Sequence, residues 1–272
     1  MPLEPKTSRE PVFNLPAVIV ASLAVLVVIH ALRVFVVSEE LDFEILINWS
    51  VIPARWAVAY GGVPADEILN ALASGRSDEP TLPLELARYV LAQDAGRPLS
   101  GLSYTLLHGS WTHVAMNGLW LAAFGTPVAR RCGSLRFLLL AAAAALAGAI
   151  VYTIVHPLQV IPMIGASAAV SGMMAAAAWF MFSPPSWMLE GRISEPHERP
   201  RETMAGLFAN RQVLLFLGVW LGINYLSSLI AEPLGVTDAS IAWEAHVGGF
   251  LAGLLLFPLV DPLPPKPRRA SA

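Results

Sequence analysis

The sequence predicts an all-α, polytopic membrane protein, a bundle of six transmembrane helices with both termini in the cytoplasm. Three observations carry this. Of 272 residues, 56% are hydrophobic and only 14% charged, with a mean hydropathy of +0.60. Soluble chains carry about 25% charged residues, so the charge here falls short of what a water-facing surface needs. Six apolar runs recur along the chain, each close to the roughly 20 residues that cross a ~30 Å hydrocarbon layer. Their hydrophobicity is continuous rather than alternating, which selects helices over a closed barrel, the other structure that satisfies every backbone group inside lipid.

The elements follow in chain order. Residues 1–16 read as a cytoplasmic N-terminal segment. Met1 to Val12 is polar, without the short apolar core and small-residue cleavage site of a signal peptide, so span 1, Ala17 to Val37, is expected to be a retained anchor. Residues 38–101 form a long outer segment. Span 2, Leu102 to Val128, begins with an unusually polar stretch (Ser103, Tyr104, Thr105, His108, Ser110, Thr112, His113) and becomes apolar from Val114, a span with a wet entrance. Span 3 is Leu135 to Val155 and span 4 Ile164 to Phe182. A cytoplasmic loop, 183–210, with four prolines and mixed charge, reads as flexible. Span 5 is Val213 to Ile230, span 6 is Ile241 to Val260, and residues 261–272 form a cytoplasmic tail. The membrane domain is thus 17–260.

Positive charge orients the bundle, because Lys and Arg in short loops stay cytoplasmic. Lys6 and Arg9 precede span 1. Arg130, Arg131 and Arg136 lie between spans 2 and 3; Arg192, Arg199, Arg201 and Arg211 lie between spans 4 and 5; Lys266, Arg268 and Arg269 follow span 6. The loops His156 to Met163 and Ala231 to Ser240 contain none. The outer segment holds four arginines (Arg55, Arg76, Arg88, Arg97) against ten acidic residues, consistent with translocation. With Trp49, Pro53 and Trp56 it suggests an interfacial portion, read either as a cap or substrate contact or as a connector packed on the bilayer surface.

Several function classes are disfavoured. A net charge of −3 leaves no basic excess to neutralise phosphates, so nucleic acid is not an expected partner. Cys132, the one cysteine, makes no internal disulfide, and no Cys/His cluster has zinc-ligand spacing, so no metal is expected. The absence of an internal repeat weakens an inverted-repeat transporter.

Ionisable and amide side chains inside spans cost a few kcal/mol unless they face a cavity or partner, which makes each a candidate site. They are His108, His113 and Asn117 in span 2, Ser167 and Ser171 in span 4, Asn224 in span 5, and Glu244 and His246 in span 6; His30 in span 1 stands apart. His113 and Asn117 are four apart and share a helix face. Ser167 lies in Gly165-Ala-Ser-Ala-Ala-Val-Ser-Gly172, and His246 opens His-Val-Gly-Gly-Phe-Leu-Ala-Gly253, with Gly249 and Gly253 on the histidine's stripe. Such small residues permit close approach of a neighbouring helix. The even-numbered spans all run from outside to inside, so His113, Ser167 and His246, each near the start of its span, fall at one shallow outer depth.

A serine and a histidine on closely packed helices form a nucleophile and general base, and a second histidine with an asparagine donates to a developing oxyanion. Glu244 sits about 200° around the helix from His246 and reads as an interfacial charge, so the arrangement is a dyad rather than a triad. Taken singly, Ser167 reads as a packing residue, Asn117 and Asn224 as interhelical hydrogen-bonding residues, and His30, His108 and His156 as interfacial or loop-supporting. The joint pattern favours chemistry.

At these residues the sequence resembles the rhomboid family of intramembrane serine proteases. The matching pieces are His108-Gly-Ser-Trp-Thr-His113-Val-Ala-Met-Asn117, Gly165-Ala-Ser167, and Ala245-His246-Val-Gly-Gly249-Phe-Leu-Ala-Gly253. Their order and the six-span layout with both ends inside match bacterial members. The resemblance implies a rhomboid-like bundle in a bacterial inner membrane, with the active site facing the outer, periplasmic side. It implies Ser167 as nucleophile, His246 as general base, and an oxyanion site built from His113, Asn117 and the backbone N–H of Ser167. Gly165 is then a backbone position beside the nucleophile, and His108 a structural histidine. Transmembrane segments of other proteins are the implied substrates, cut near the outer leaflet, with no metal or organic cofactor. Span 5 and the loop 231–240 are implied moving parts for lateral access. The chain departs from the family where it often has Gly directly after the serine (here Ala168) and an aromatic four residues after it (here Ser171). Two other classes stay open: a non-catalytic scaffold that binds client helices, and a small-solute transporter, which would need polar residues at inner depth as well.

Overall fold

The computed structural model describes residues 14–74, 84–93, 96–183, 188–189, 192–230 and 242–263. The charges expected at the extreme termini (Lys6, Arg9, Lys266, Arg268, Arg269), the residues Ser38–Gly101 numbered 75–83 and 94–95, and the loop Ala231 to Ser240 lie, to that extent, outside the described residues. Among the described residues the regular structure is helical apart from one two-residue antiparallel pair, β1 (Met188–Leu189) and β2 (Arg192–Ile193), and one isolated bridge.

Helix α1 (Ala17–Phe35) buries Ile19, Leu26 and His30, a stripe at spacings of seven and four, and leaves Val20, Val27, Val28 and Leu32 exposed. One face therefore packs and the rest is apolar surface suited to lipid. In its last turn Arg33 donates to both Asp42 oxygens, at 2.6 and 3.1 Å, and to the His108 carbonyl at 2.9 Å.

The described part of the outer segment contains α2 (Glu39–Trp49), α3 (Pro53–Tyr60), α4 (Ala65–Ala73) and α5 (Leu84–Ala92). Of the three residues behind the expectation of an interfacial portion, Pro53 and Trp56 are buried and Trp49 is exposed. The reason is that the Trp56 indole N–H finds a partner inside, the Ser100 hydroxyl at 3.0 Å. The Arg55 guanidinium is buried too, donating to the Ile47 carbonyl at 2.7 Å, and burial pushes its pKa down to about 10. An antiparallel bridge, Met163 N–H to Val51 O at 2.8 Å, fastens this segment to the chain leading into the fourth span.

The expected span 2, Leu102 to Val128, is not one continuous helix. A short helix, α6 (Ser100–Ser103), runs into a 3₁₀ turn at Tyr104–Leu106, the helix is interrupted over 107–110, and it restarts as α7 (Trp111–Trp120) with the Ser110 hydroxyl accepting from the His113 N–H at 3.1 Å. A π turn at Leu121–Gly125 leads into α8 (Thr126–Cys132). Pro127 lacks the N–H for one α-type bond at that point, which accounts for the change in ladder.

Helix α9 (Ser134–Val155) follows a turn at Gly133, φ +78°. Helix α10 (Ser167–Met181) is the centre of the bundle: Met173 and Ala175 to Ala178 are buried, and α9 packs on it. Its 15 residues span roughly 22 Å, less than the hydrocarbon thickness, because Ile164 to Ala166 enter it in non-helical conformation. Ser167 therefore opens the helix rather than lying within it.

The segment 183–210, expected to be a flexible loop, is described at 183, 188–189 and 192–210, where some residues are buried and others, Phe208 among them, are exposed. Arg199 donates to the carbonyls of Ser183 at 2.7 Å and Met181 at 3.3 Å, and Thr203 caps α11 (Met204–Ala209) through its hydroxyl. These Arg199 donors satisfy carbonyls at the end of α10. Helix α12 (Arg211–Ile230) buries only Val213 and Trp220 among its described side chains, and α13 (Trp243–Val260) closes the bundle against α9 and α10. Helices α1, α9 and α13 are long and apolar enough to cross a membrane; α10 and the described part of α12 are shorter apolar helices.

Candidate active site

Two helices made from small residues bring the central pair together. A β-carbon at Gly249 on α13 would collide with the backbone of Ala168 on α10, and one at Gly253 with the backbone of Gly172. A β-carbon at Gly148 on α9 would lie 2.7 Å from the Ala245 carbonyl oxygen. With no side chains between the backbones, α10 and α13 approach closely enough for their polar side chains to meet. Ser167 Oγ and His246 Nε2 are 2.7 Å apart.

Across from this pair lies the turn before α10. Gly165 has φ +116°, a conformation that disfavours any residue with a β-carbon, and its N–H donates to the Tyr104 carbonyl at 3.0 Å. A β-carbon there would lie 2.7 Å from both Cε1 and Nε2 of His113, and 3.8 Å from Asn117 Nδ2. The α7 side chains thus face the turn that delivers Ser167. No side chain caps the N-terminus of α10, and the first N–H groups of a helix have no intrahelical acceptor. The Ser167 N–H, at the first position of the helix, consequently has no intrahelical acceptor.

His108 is buried with its ring 4.8 Å from that of His113, and its Nε2 faces the Ala166 N–H at 3.5 Å. It sits under the turn while its carbonyl takes the Arg33 bond described above. His30, also buried, meets the Trp111 ring edge-on at 4.7 Å. Glu244 does not reach His246; it pairs with His156 at 3.0 Å.

The sequence alone reads Asn224 as an interhelical hydrogen-bonding residue, and the structure gives its partner: Asn224 Oδ1 lies 2.5 Å from His246 Nδ1. The signal was its depth. In the expected topology span 5 returns toward the outer side, which would bring Asn224 to the layer in which His246 begins the next span.

Chemically the arrangement offers a hydroxyl bonded to an imidazole, uncapped backbone N–H groups beside it, and an imidazole and an amide facing the same turn. Among the described residues no group of three or more His, Cys, Asp or Glu side chains is placed to hold a metal ion.

Comparison with curated proteins returns no match. A family model described as the Rhomboid domain matches residues 96–261, a stretch that takes in α6 to α13 and every side chain of the site. Since that match covers more than half of the chain, the protein belongs to the rhomboid family, a family of intramembrane proteases, and is an integral membrane protein.

Proposed function

We propose that the protein is an intramembrane serine endopeptidase that hydrolyses transmembrane segments of other membrane proteins near the outer leaflet. The observation that carries this reading is the 2.7 Å contact between Ser167 Oγ and His246 Nε2, a nucleophile and base delivered by two separate helices. Ser167 Oγ attacks the scissile carbonyl carbon as His246 Nε2 takes the hydroxyl proton. The developing oxyanion lies among the Ser167 N–H, His113 and Asn117 Nδ2. The tetrahedral intermediate collapses, His246 gives its proton to the leaving amine, and an acyl-enzyme remains on Ser167. Water, deprotonated by His246, then releases the new carboxylate and restores the hydroxyl.

A helical substrate shields its carbonyls by its own hydrogen bonds, so a segment must unwind before attack. Substrates with small residues at the cut and helix breakers nearby fit that requirement. The reading carries the six-span topology with both termini cytoplasmic, domain limits of 17–260, and a bacterial inner membrane with the site on the periplasmic side. Gly165, Gly249, Gly253 and His108 shape the site without taking part in the reaction, and the chemistry uses no metal or cofactor.

The test uses purified protein and a tagged single-span substrate in liposomes. Ser167→Ala and His246→Ala each abolish cleavage while the protein still purifies as a folded species. Cleavage by Ser167→Ala at the wild-type rate would assign the nucleophile elsewhere, and a wild-type protein that captures the substrate without cutting it would make the chain a client-binding scaffold.

A further inference from the structure

We infer that Asn224 is a positioning residue that fixes the tautomer of His246, a role that rests on His246 being the general base. The amide of Asn224 has a donor end and an acceptor end. Its Nδ2 lies 2.8 Å from the Trp220 carbonyl oxygen, which only accepts. The nitrogen end is therefore committed to Trp220, and the end facing His246 Nδ1 at 2.5 Å is the oxygen. An amide oxygen only accepts, so Nδ1 must carry the hydrogen. A neutral imidazole has a single N–H. Nε2 is left with its lone pair, and the atom facing that lone pair is Ser167 Oγ at 2.7 Å, which must then be the donor. In the opposite tautomer, Nδ1 and Oδ1 would present lone pairs to each other, and Nε2–H would point at the nucleophile.

The anchor of this relay is itself held. Trp220 is buried and stacks on Phe250 with ring centroids 4.5 Å apart. Trp220 and Asn224 are one turn apart on α12, His246 and Phe250 one turn apart on α13, so the two pairs zip the antiparallel helices together beside the dyad. An amide supplies orientation without the negative charge that an aspartate would add to stabilise the imidazolium.

The test is nitrogen-15 NMR of histidine-labelled protein in detergent, with the His246 resonances assigned by their loss in His246→Gln, alongside steady-state cleavage. Wild type is expected to show His246 as the Nδ1–H tautomer. Asn224→Leu, close in size but without an acceptor, is expected to give a mixed or Nε2–H form. Its kcat falls at least about tenfold with KM changed less than about twofold, the pattern of a misoriented base. Asn224→Asp keeps an acceptor oxygen toward Nδ1 in either protonation state and is expected to recover both tautomer and rate. An Nε2–H tautomer in wild type overturns the inference, as does Asn224→Leu with tautomer and kcat unchanged, or slowed with the tautomer unchanged. If wild type cuts no substrate yet holds Nδ1–H and loses it in Asn224→Leu, the tautomer assignment stands and the protease reading alone falls.

Discussion

Arg131 and Asp261 form a two-bond ion pair with neither side chain exposed, Nε to Oδ1 at 2.7 Å and Nη2 to Oδ2 at 2.8 Å. The pair joins the end of α8 to the residue after α13, and the Arg131 Nη1 donates onward to the carbonyls of Arg199 at 2.5 Å and His197 at 3.2 Å. Three separate stretches of chain converge on one guanidinium at the end of the bundle opposite the dyad. Removing one member of such a pair leaves an uncompensated buried charge and costs about 3–5 kcal/mol. Arg131→Met is therefore expected to lower the thermal midpoint in detergent sharply. The double variant Arg131→Met, Asp261→Leu recovers part of that loss, because the fully buried pair is gone and only Arg201, whose Nε lies 3.5 Å from Asp261 Oδ2 and whose side chain is partly exposed, loses its partner. A double variant no better than the single one would mean that the bonds to the loop carbonyls, rather than the ion pair, hold this end together.

Glycine substitutions separate helix contacts from lipid-facing positions. At Gly253 a β-carbon has no room against the Gly172 backbone, so Gly253→Ala forces α10 and α13 apart and is expected to destabilise by about 1–3 kcal/mol, as overpacking does. At Gly218 and Gly222 on α12 nothing lies within 4 Å of an added β-carbon. There alanine is the better helix former by up to about 1 kcal/mol, and Gly218→Ala is expected to leave the melting temperature unchanged or raise it slightly. Equal effects at Gly253 and Gly218 would remove the close α10–α13 approach as the organising contact.

Gly165→Ala meets two obstacles at once, a φ of +116° and the His113 ring 2.7 Å away. Backbone strain of this kind costs of order 1–3 kcal/mol, and relief requires His113 to leave its place. The expected outcome is a folded protein with modestly reduced stability and cleavage lowered far more than folding. Activity retained at the wild-type level would show that His113 need not stand beside this turn.

The long apolar helices were legible in the sequence almost to the residue. Ala17 to Val37 is observed as Ala17–Phe35, and Leu135 to Val155 as Ser134–Val155. A hydropathy window averages over breaks, so it carried spans 2 and 4 through segments that are not helical. The local chemistry marks both breaks: Ser110 is the cap that starts α7, and Gly165 takes a φ that no helix contains. The burial of Arg55 and Trp56 was illegible because it depends on partners elsewhere in the chain, Ile47 and Ser100, which no local pattern announces. Asn224 was read as an interhelical hydrogen-bonding residue; the sequence alone left its partner unnamed, since that follows only when the ends of α12 and the start of α13 are seen side by side.

Asn117 offers the sharpest measure of the proposed oxyanion site. It is buried one turn after His113, and its Nδ2 faces the Gly165 turn. A donor aimed at charge that appears only in the transition state contributes nothing to binding the substrate's neutral carbonyl. Its loss should lower kcat and kcat/KM together and leave KM in place. Removal of one such donor costs on the order of 10²–10³ in rate in serine proteases, so Asn117→Ala is expected to cut slowly but measurably, in contrast to the complete loss in Ser167→Ala. Steady-state cleavage with substrate varied as a mole fraction of lipid separates the two constants. A raised KM at unchanged kcat would make Asn117 a substrate-binding residue, and an unchanged kcat/KM would remove it from the site.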